Sequence, residues 1–421
     1  VEKDATKETK PLMVDFPGKG KVAIVKATPE TVLDDVRRAM RLAGYQDALP
    51  KDKETILKIN ISWDTWYPAC SSTPWQIEGV IQELQEAGYP RVVAGHNDTV
   101  VVDARKGEEN NKHKYVTDKY GLDDWHLYEP RFEWVRYQPK QPFLVLDRVY
   151  PEGVYIPKDF YGRNIVHLPT VKTHVFTTIT GAMKNAFGGL LGRKRHWTHS
   201  VIHETVVDLL QIQQDIHSGI FAVMDGTFAG DGPGPRAMRW HEKDLLLASA
   251  DQVAIDAISA YLQGFDPMTL DFIRLAHERG LGVGDPAEIE IVGIDTRDIP
   301  RFGFIQEETF ASRGQKMIYH GWLKGFEGLL LRSPLVPWSY MASNVYHNYY
   351  WYPFVGRKRV EEALDTKWGR LFAQYGDGSV VMPGVEPEKV RQLALAGAVA
   401  TGGALFLGGR LLGGLLSGRR R

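Results

Sequence analysis

Apolar and polar residues alternate along Lys21–Lys26, the period-two pattern of a strand, and Thr28-Pro29 then opens a stretch with Val32, Leu33, Val36, Ala39, Met40 and Ala43 at helical spacing. Thr55–Ile61 reads as the next strand. Thr73-Pro74-Trp75-Gln76 is a capping box with proline at the first helical position, and Ile77, Val80, Ile81 and Leu84 then line one helix face as far as Gly88. Arg91–Ala94 predicts a further strand ending at Gly95-His96-Asn97-Asp98. Strand, helix and strand with short connections make a right-handed parallel crossover, and ligands of such sheets bind beyond the carboxyl ends of the strands. Ser71-Ser72-Thr73 and His96-Asn97-Asp98 fall at those ends.

Residues 105–160 lose this regularity and read as an excursion rich in charge and aromatics. Asn164–Leu168 predicts a buried strand, 200–217 a helix, and Ile220–Met224 a strand that stops at Asp225-Gly226. Leu245–Ala250, a helix with Val253, Ala254, Ala257, Ile258 and Tyr261, a second helix around Leu270–Glu278 and a closing strand Ile289–Val292 complete the pattern. Asp251 caps the first of those helices, and Gly230-Asp231-Gly232-Pro233-Gly234-Pro235 reads as a rigid loop. The expected fold is a two-lobed α/β protein, with mostly parallel, doubly wound sheets covered by helices on both faces. The breaks divide the chain into an N-terminal extension (1–19), a first α/β lobe (20–160), a second α/β lobe (161–298), an aromatic-rich C-terminal lobe (299–388) and an apolar helix with a basic end (389–421).

With 421 residues and 43% hydrophobic content, the chain is expected to fold as more than one compact unit. A formal net charge of −1 gives no electrostatic argument for nucleic acid as a partner. The single cysteine, Cys70, excludes a disulfide framework and a self-contained iron–sulfur cluster or thiolate zinc site. No secretory signal is visible in residues 1–19.

Two stretches point toward a membrane surface. Residues 318–355 concentrate Trp322, Trp338, Tyr340, Tyr346, Tyr349, Tyr350, Trp351 and Tyr352, which suits a membrane interface, an oligomer surface or packing against the main body. Leu393–Gly418 is apolar apart from Arg410, and as one helix would span roughly 39 Å, enough for a hydrocarbon core of about 30 Å. Lys389 and Arg391 precede it and Arg419, Arg420 and Arg421 follow it. Basic residues at both ends fit a segment lying on the cytoplasmic leaflet with its arginines on anionic headgroups.

The chemistry concentrates in 172–203. Lys172, His174, Lys184, His196, His199 and His203 occur there with Gly181, Gly188, Gly189 and Gly192. Glycines admit a ligand close to backbone N–H groups, so the stretch suits a phosphate or a metal. Lys184 and Lys172 are candidates for anion binding or covalent attachment. His196, His199 and His203 have helical spacing for a shared face, although Arg193, Lys194 and Arg195 favour an anion over a bare cation. Asp225 is either an acid/base group at a strand end or a turn former before Gly226.

Lys58-Ile59-Asn60, Ser72-Thr73-Pro74, His167–His174, Thr180–Gly188, Val223-Met224-Asp225-Gly226, Ser249–Ala257 and Gly280-Leu281-Gly282 together resemble the domain of unknown function 362 family over roughly residues 20–295. Many members of that family carry a ferredoxin-like cysteine module, which this chain lacks. The order of Thr-Pro, Gly-His, His, Gly-x-x-Lys and a downstream His is also similar to the nickel-pincer lactate racemase superfamily. That resemblance implies Lys184 as the attachment lysine of a nickel-pincer-type nucleotide, His199 as nickel ligand, and His96 and His174 as the proton-exchanging pair.

The expected function is therefore a cofactor- or metal-dependent enzyme binding an anionic or nucleotide-like ligand between its lobes, isomerase/racemase-like or an oxidoreductase with an external electron donor. His96, His174 and Asp225 are its candidate catalytic residues. Lys172, Lys184, Thr73, Gly181 and Gly188 are its candidate cofactor contacts, and His199 and His196 its candidate metal ligands. The alternative is a membrane-associated, non-catalytic or redox-partner subunit. Its partner would be a membrane protein complex or a second copy of the chain.

Overall fold

The computed structural model describes residues 14–96, 102–319, 321 and 344–393. Its strands are β1 (Lys21–Lys26), β2 (Thr55–Ile59), β3 (Val92–His96), β4 (Asp123–His126), β5 (Trp134–Arg136), β6 (Tyr155–Pro157), β7 (Asn164–Leu168), β8 (Thr170–His174), β9 (Thr178–Ile179), β10 (Gly219–Asp231), β11 (Arg239–Ser249) and β12 (Glu290–Gly293). Ten of them form one sheet in the order β12-β1-β11-β10-β7-β2-β3-β4, with β8 attached to β10 and β9 to β8. The pairs β12–β1, β10–β7, β7–β2, β2–β3 and β3–β4 are parallel, while β11 runs antiparallel to both its neighbours. β5 and β6 form a separate antiparallel pair.

The period-two alternation sorts each strand's side chains onto two faces. Val22, Ile24, Ile56, Val93, Ile165, Ala222, Met224, Leu245 and Leu247 share one core with the helices Ile202–Ile216, Gln252–Gln263 and Asp271–Glu278. Ala23, Val25, Leu57, Ala94, Val166, Phe221, Val223, Leu246 and Ala248 share the other with the helices Val32–Leu42 and Pro74–Glu86. The expected mostly parallel α/β sheet with helices on both faces is present. Strands from the 20–160 and 161–298 stretches share it, with β1 inserted between β12 and β11, so the boundary at 160 falls inside a single sheet.

Two local expectations change. The strand expected to stop at Asp225-Gly226 runs on to Asp231, because its far half is held by β11 on one side and β8 on the other, with a register shift between Gly226 and Phe228 absorbing the irregularity. The 105–160 excursion returns to the sheet once, adding β4 at its edge.

The described aromatics of the C-terminal stretch pack onto the loop after β2. Trp63 stacks on Tyr352 at 5.8 Å, Trp66 on Phe372 at 4.3 Å, and Trp75 lies 5.4 Å from Trp368. Tyr350 and Phe354 stay exposed at 61% and 45%. Trp322, Trp338, Tyr340 and the apolar run after Leu393 lie outside the described residues. Among the described residues no helix is long and apolar enough to cross a membrane.

Candidate functional site

β10 is long enough to pair first with β7 (Gly219–Ala222 with Asn164–His167) and then with β8, so the β7–β8 run extends past the carboxyl edge of β2 and β3. Lys172 and His174 lie on that extension, Lys58 near the end of β2 and His96 at the end of β3. The short helix Gly181–Asn185 brings Lys184 to the same edge. Its start is tightly specified. Gly181 has φ +71°, a Cβ there would lie 2.3 Å from Asp256 Oδ2, and the Asp256 carboxylate accepts from Ala182 N–H and Met183 N–H. Gly181 thus serves the scaffold beneath Lys184.

Two lysines are withdrawn from water here, and Lys184 is half-buried. Lys172 is fully buried, donating to Cys70 C=O at 3.1 Å and Thr170 Oγ1 at 2.5 Å, and Lys58 donates to Ile59 C=O at 2.6 Å. Lys184 Nζ lies 5.6 Å from the centre of the Phe187 ring and has no hydrogen-bonding or carboxylate partner among the described residues. Burial lowers Lys58 and Lys172 to about 7 and Lys184 to about 8. Neighbouring cations add to this: Arg195 acts on Lys58, Lys184 on Lys172, and Arg195 and Arg236 on Lys184. Among the described residues no carboxylate contributes to the field at any of the three. Arg236 stacks 4.4 Å over Trp63, which also packs on His347 and Tyr352, and donates to Ser62 C=O at 3.0 Å.

Two histidines complete this cluster with complementary tautomers. His174 Nδ1 accepts from Phe176 N–H at 3.1 Å, which leaves the proton of the neutral ring on Nε2. His199 Nδ1 lies 3.0 Å from His196 C=O and must donate to it, which leaves Nε2 with a lone pair. Both rings pack on Phe176, at 5.9 and 5.5 Å, and His199 also lies against Phe187 and Tyr319. Burial and the adjacent Lys184 hold His174 well below its usual value, and burial takes His199 to about 4.

The other expected residues fall elsewhere. His199 belongs to the tight turn Arg193–Val201 and His203 to the following helix, where it packs on Phe272, so the two do not share a face. His196 meets His199 through its main-chain carbonyl. Among the described residues no group of three or more His, Cys, Asp or Glu is placed to hold a metal. Gly189 makes room for Lys58, whose side chain would lie 3.2 Å from an added Cβ, while Gly188 lies in ordinary contact with it at 3.5 Å. Thr73 caps the Pro74–Glu86 helix through Gln76, as the sequence implies, and its hydroxyl donates to Asp225. Asp225 is fully buried and also accepts from Trp75 Nε1 at 2.9 Å and Thr227 N–H at 2.6 Å, so its oxygens are committed to anchoring that helix. His96 groups with Lys58, His113 and His126, on the far side of β2 and β7 from His174.

Lys58 and Arg236 were not among the expected site residues. A lysine inside an otherwise apolar five-residue strand was the available signal for Lys58; Arg236, after a Gly-Pro loop, offered none.

A thylakoid-associated protein of Synechocystis sp., sll1697, is 28% identical over 120 residues, covering 28% of this chain and 37% of that protein. The match therefore spans little more than a third of the relative's length. No solved structure matches the chain significantly. The family described as "Domain of unknown function (DUF362)" matches residues 55–261. That span carries Lys58, Lys172, His174, Lys184, His199 and Arg236 alike, and over it the resemblance to the domain of unknown function 362 family read from the sequence is borne out.

Proposed function

We propose that the protein is an enzyme that binds a small anion of at least two negative charges at the carboxyl ends of β2, β3 and β8, with proton exchange as its chemistry. The observation that carries this reading is the set of three lysines, Lys58 and Lys172 buried and Lys184 half-buried, with no carboxylate partner among the described residues. Desolvated ammonium groups are costly unless paired, and a bound anion supplies the missing counter-charge. His174 offers an Nε2–H and His199 an Nε2 lone pair, the donor and acceptor that removal and return of a proton require. Lys184 acts electrostatically on both rings, so an anion held on it would lie near both.

Sulfate is a suitable probe because it keeps its charge across the working pH range. Isothermal titration should detect binding by the wild type, and Lys184→Met should weaken it about ten-fold or more, the equivalent of about 1.4 kcal/mol. Equal affinity in wild type and variant would count against the site. A small molecule retained in intact-mass analysis of natively purified protein would identify the natural ligand.

A membrane-surface location is the second element of the proposal, supported by the name of the Synechocystis relative and by the exposed Tyr350 and Phe354. The apolar stretch after Leu393 is the proposed contact, on the cytoplasmic leaflet. Truncation after Glu388 is expected to release folded protein from the membrane fraction. Continued sedimentation of the truncated chain with membranes would shift the contact to the aromatic stretch.

A further inference from the structure

The short helix that carries Lys184 is capped from outside its own sequence. Thr180 stands just before Gly181, where a threonine ordinarily turns its hydroxyl onto the second or third N–H of the helix. Here those two donors, Ala182 N–H and Met183 N–H, are taken by the Asp256 carboxylate of the Gln252–Gln263 helix. Thr180 has helical dihedral angles (φ −84°, ψ −64°) in place of a capping residue's extended ones, and its side chain makes no cap bond. The hydroxyl is left without a role in the fold. Thr180 is 7% exposed, and its Oγ1 makes no hydrogen bond among the described residues. Valine has the same shape and would fill the space without burying a polar atom.

Register places this hydroxyl beside the lysines of the site. β8 and β9 pair antiparallel, with Thr173 opposite Ile179 and His174 opposite Thr178, and Thr180 N–H continues the ladder by donating to Lys172 C=O at 3.0 Å. Thr180 is therefore the cross-strand neighbour of Lys172, and directly opposed side chains stand on one face with Cβ atoms about 5 Å apart. His174, two residues along β8, shares that face. The alternate residues Val171 and Ile179 point into the core on the other side, whereas Lys172 donates to the carbonyl of Cys70, which belongs to the opposite core. Lys184 follows Thr180 by four residues, the spacing that puts two side chains on one helix face.

We propose that the Thr180 hydroxyl is a ligand contact that donates a hydrogen bond to the anion held by Lys172 and Lys184, an inference that rests on the anion-site reading. Both lysines are donors only, so neither can accept from the hydroxyl in the free protein. A bound anion brings the acceptor. The hydroxyl thus weakens the free chain and strengthens the complex, the opposite of what a residue kept for the fold would do.

Sulfate titrated calorimetrically into the full chain at pH 7, alongside urea unfolding without sulfate, tests the contact. Thr180→Val should bind sulfate about ten-fold more weakly than the wild type, the loss of one hydrogen bond to a charged group, with an unfolding midpoint no lower than the wild type's. Thr180→Ser keeps the hydroxyl and should restore most of that affinity. Wild-type affinity in Thr180→Val overturns the contact and leaves the anion site standing. A loss of affinity accompanied by a lower midpoint also overturns it, because the hydroxyl would then be serving the fold. So does a Thr180→Ser variant that binds as weakly as Thr180→Val. A wild type that does not bind sulfate overturns the anion site, and the contact with it.

Discussion

Replacing Asp225 by alanine is expected to cost about 4 kcal/mol of stability, from about 1–3 kcal/mol for each buried donor left without a partner. Three donors lose their acceptor at once: the Thr73 hydroxyl, Trp75 Nε1–H and Thr227 N–H. The loss propagates because Trp75 also packs on Trp368 and Thr73 caps the Pro74–Glu86 helix. Burial pushes the Asp225 carboxyl up in pKa and these donors pull it back, so the side chain is an anchor with its acceptors in use. Urea unfolding monitored by tryptophan fluorescence reads the effect directly. A loss below about 1 kcal/mol would mean that the donors find other partners, and would return Asp225 to the list of free acid/base groups.

Gly181→Val is expected to be nearly as severe and to reach the site. A side chain at φ +71° costs about 1–2 kcal/mol by itself, and more when β-branched. The new Cβ would also meet the Asp256 carboxylate, which must then give up Ala182 N–H or Met183 N–H. The helix carrying Lys184 starts at this residue, so a total loss of about 3 kcal/mol should come with weaker sulfate binding. Full stability with unchanged binding would show that the helix start tolerates displacement and that Lys184 is not fixed by it.

Most of the sheet was legible because alternation in strands such as Lys21–Lys26 and Asn164–Leu168 sorts side chains cleanly between two cores. The Thr73–Gln76 capping box announced its helix for an equally local reason. What escaped depended on distant partners. Asp225-Gly226 carries a turn signal, yet β8 and β11 hold the chain extended there. β4 hides because Asp123-Asp124-Trp125-His126 is short and mostly polar, and Glu108 and His126 are lost among the charges of the same excursion.

Within the site, clustering along the sequence exposed Lys172, His174, Lys184 and His199. It could not reach Lys58 and Arg236, which arrive from other elements. Helical spacing misled for His199 and His203 because the turn Arg193–Val201 ends between them. Gly181, a ligand-contact candidate in the sequence, also shapes a helix start against Asp256, a role that depends on a distant residue.

The pH dependence of anion binding bears most directly on the central claim. With folded values lowered from 10.5 to about 7 for Lys58 and Lys172 and about 8 for Lys184, the neutral amines favour the folded chain most above pH 10.5. That contribution declines as the pH falls toward 7, where the folded lysines themselves become charged. A bound dianion raises the three values again, so binding takes up protons, and affinity gains up to about ten-fold per pH unit for each lysine converted. Sulfate titrated calorimetrically into the full chain at pH 7 and pH 9 should bind about fifty-fold more tightly at the lower pH if one lysine with a free value of about 7 is converted across that interval. Equal affinity at the two values, or tighter binding at pH 9, would contradict a site built on buried, uncompensated lysines.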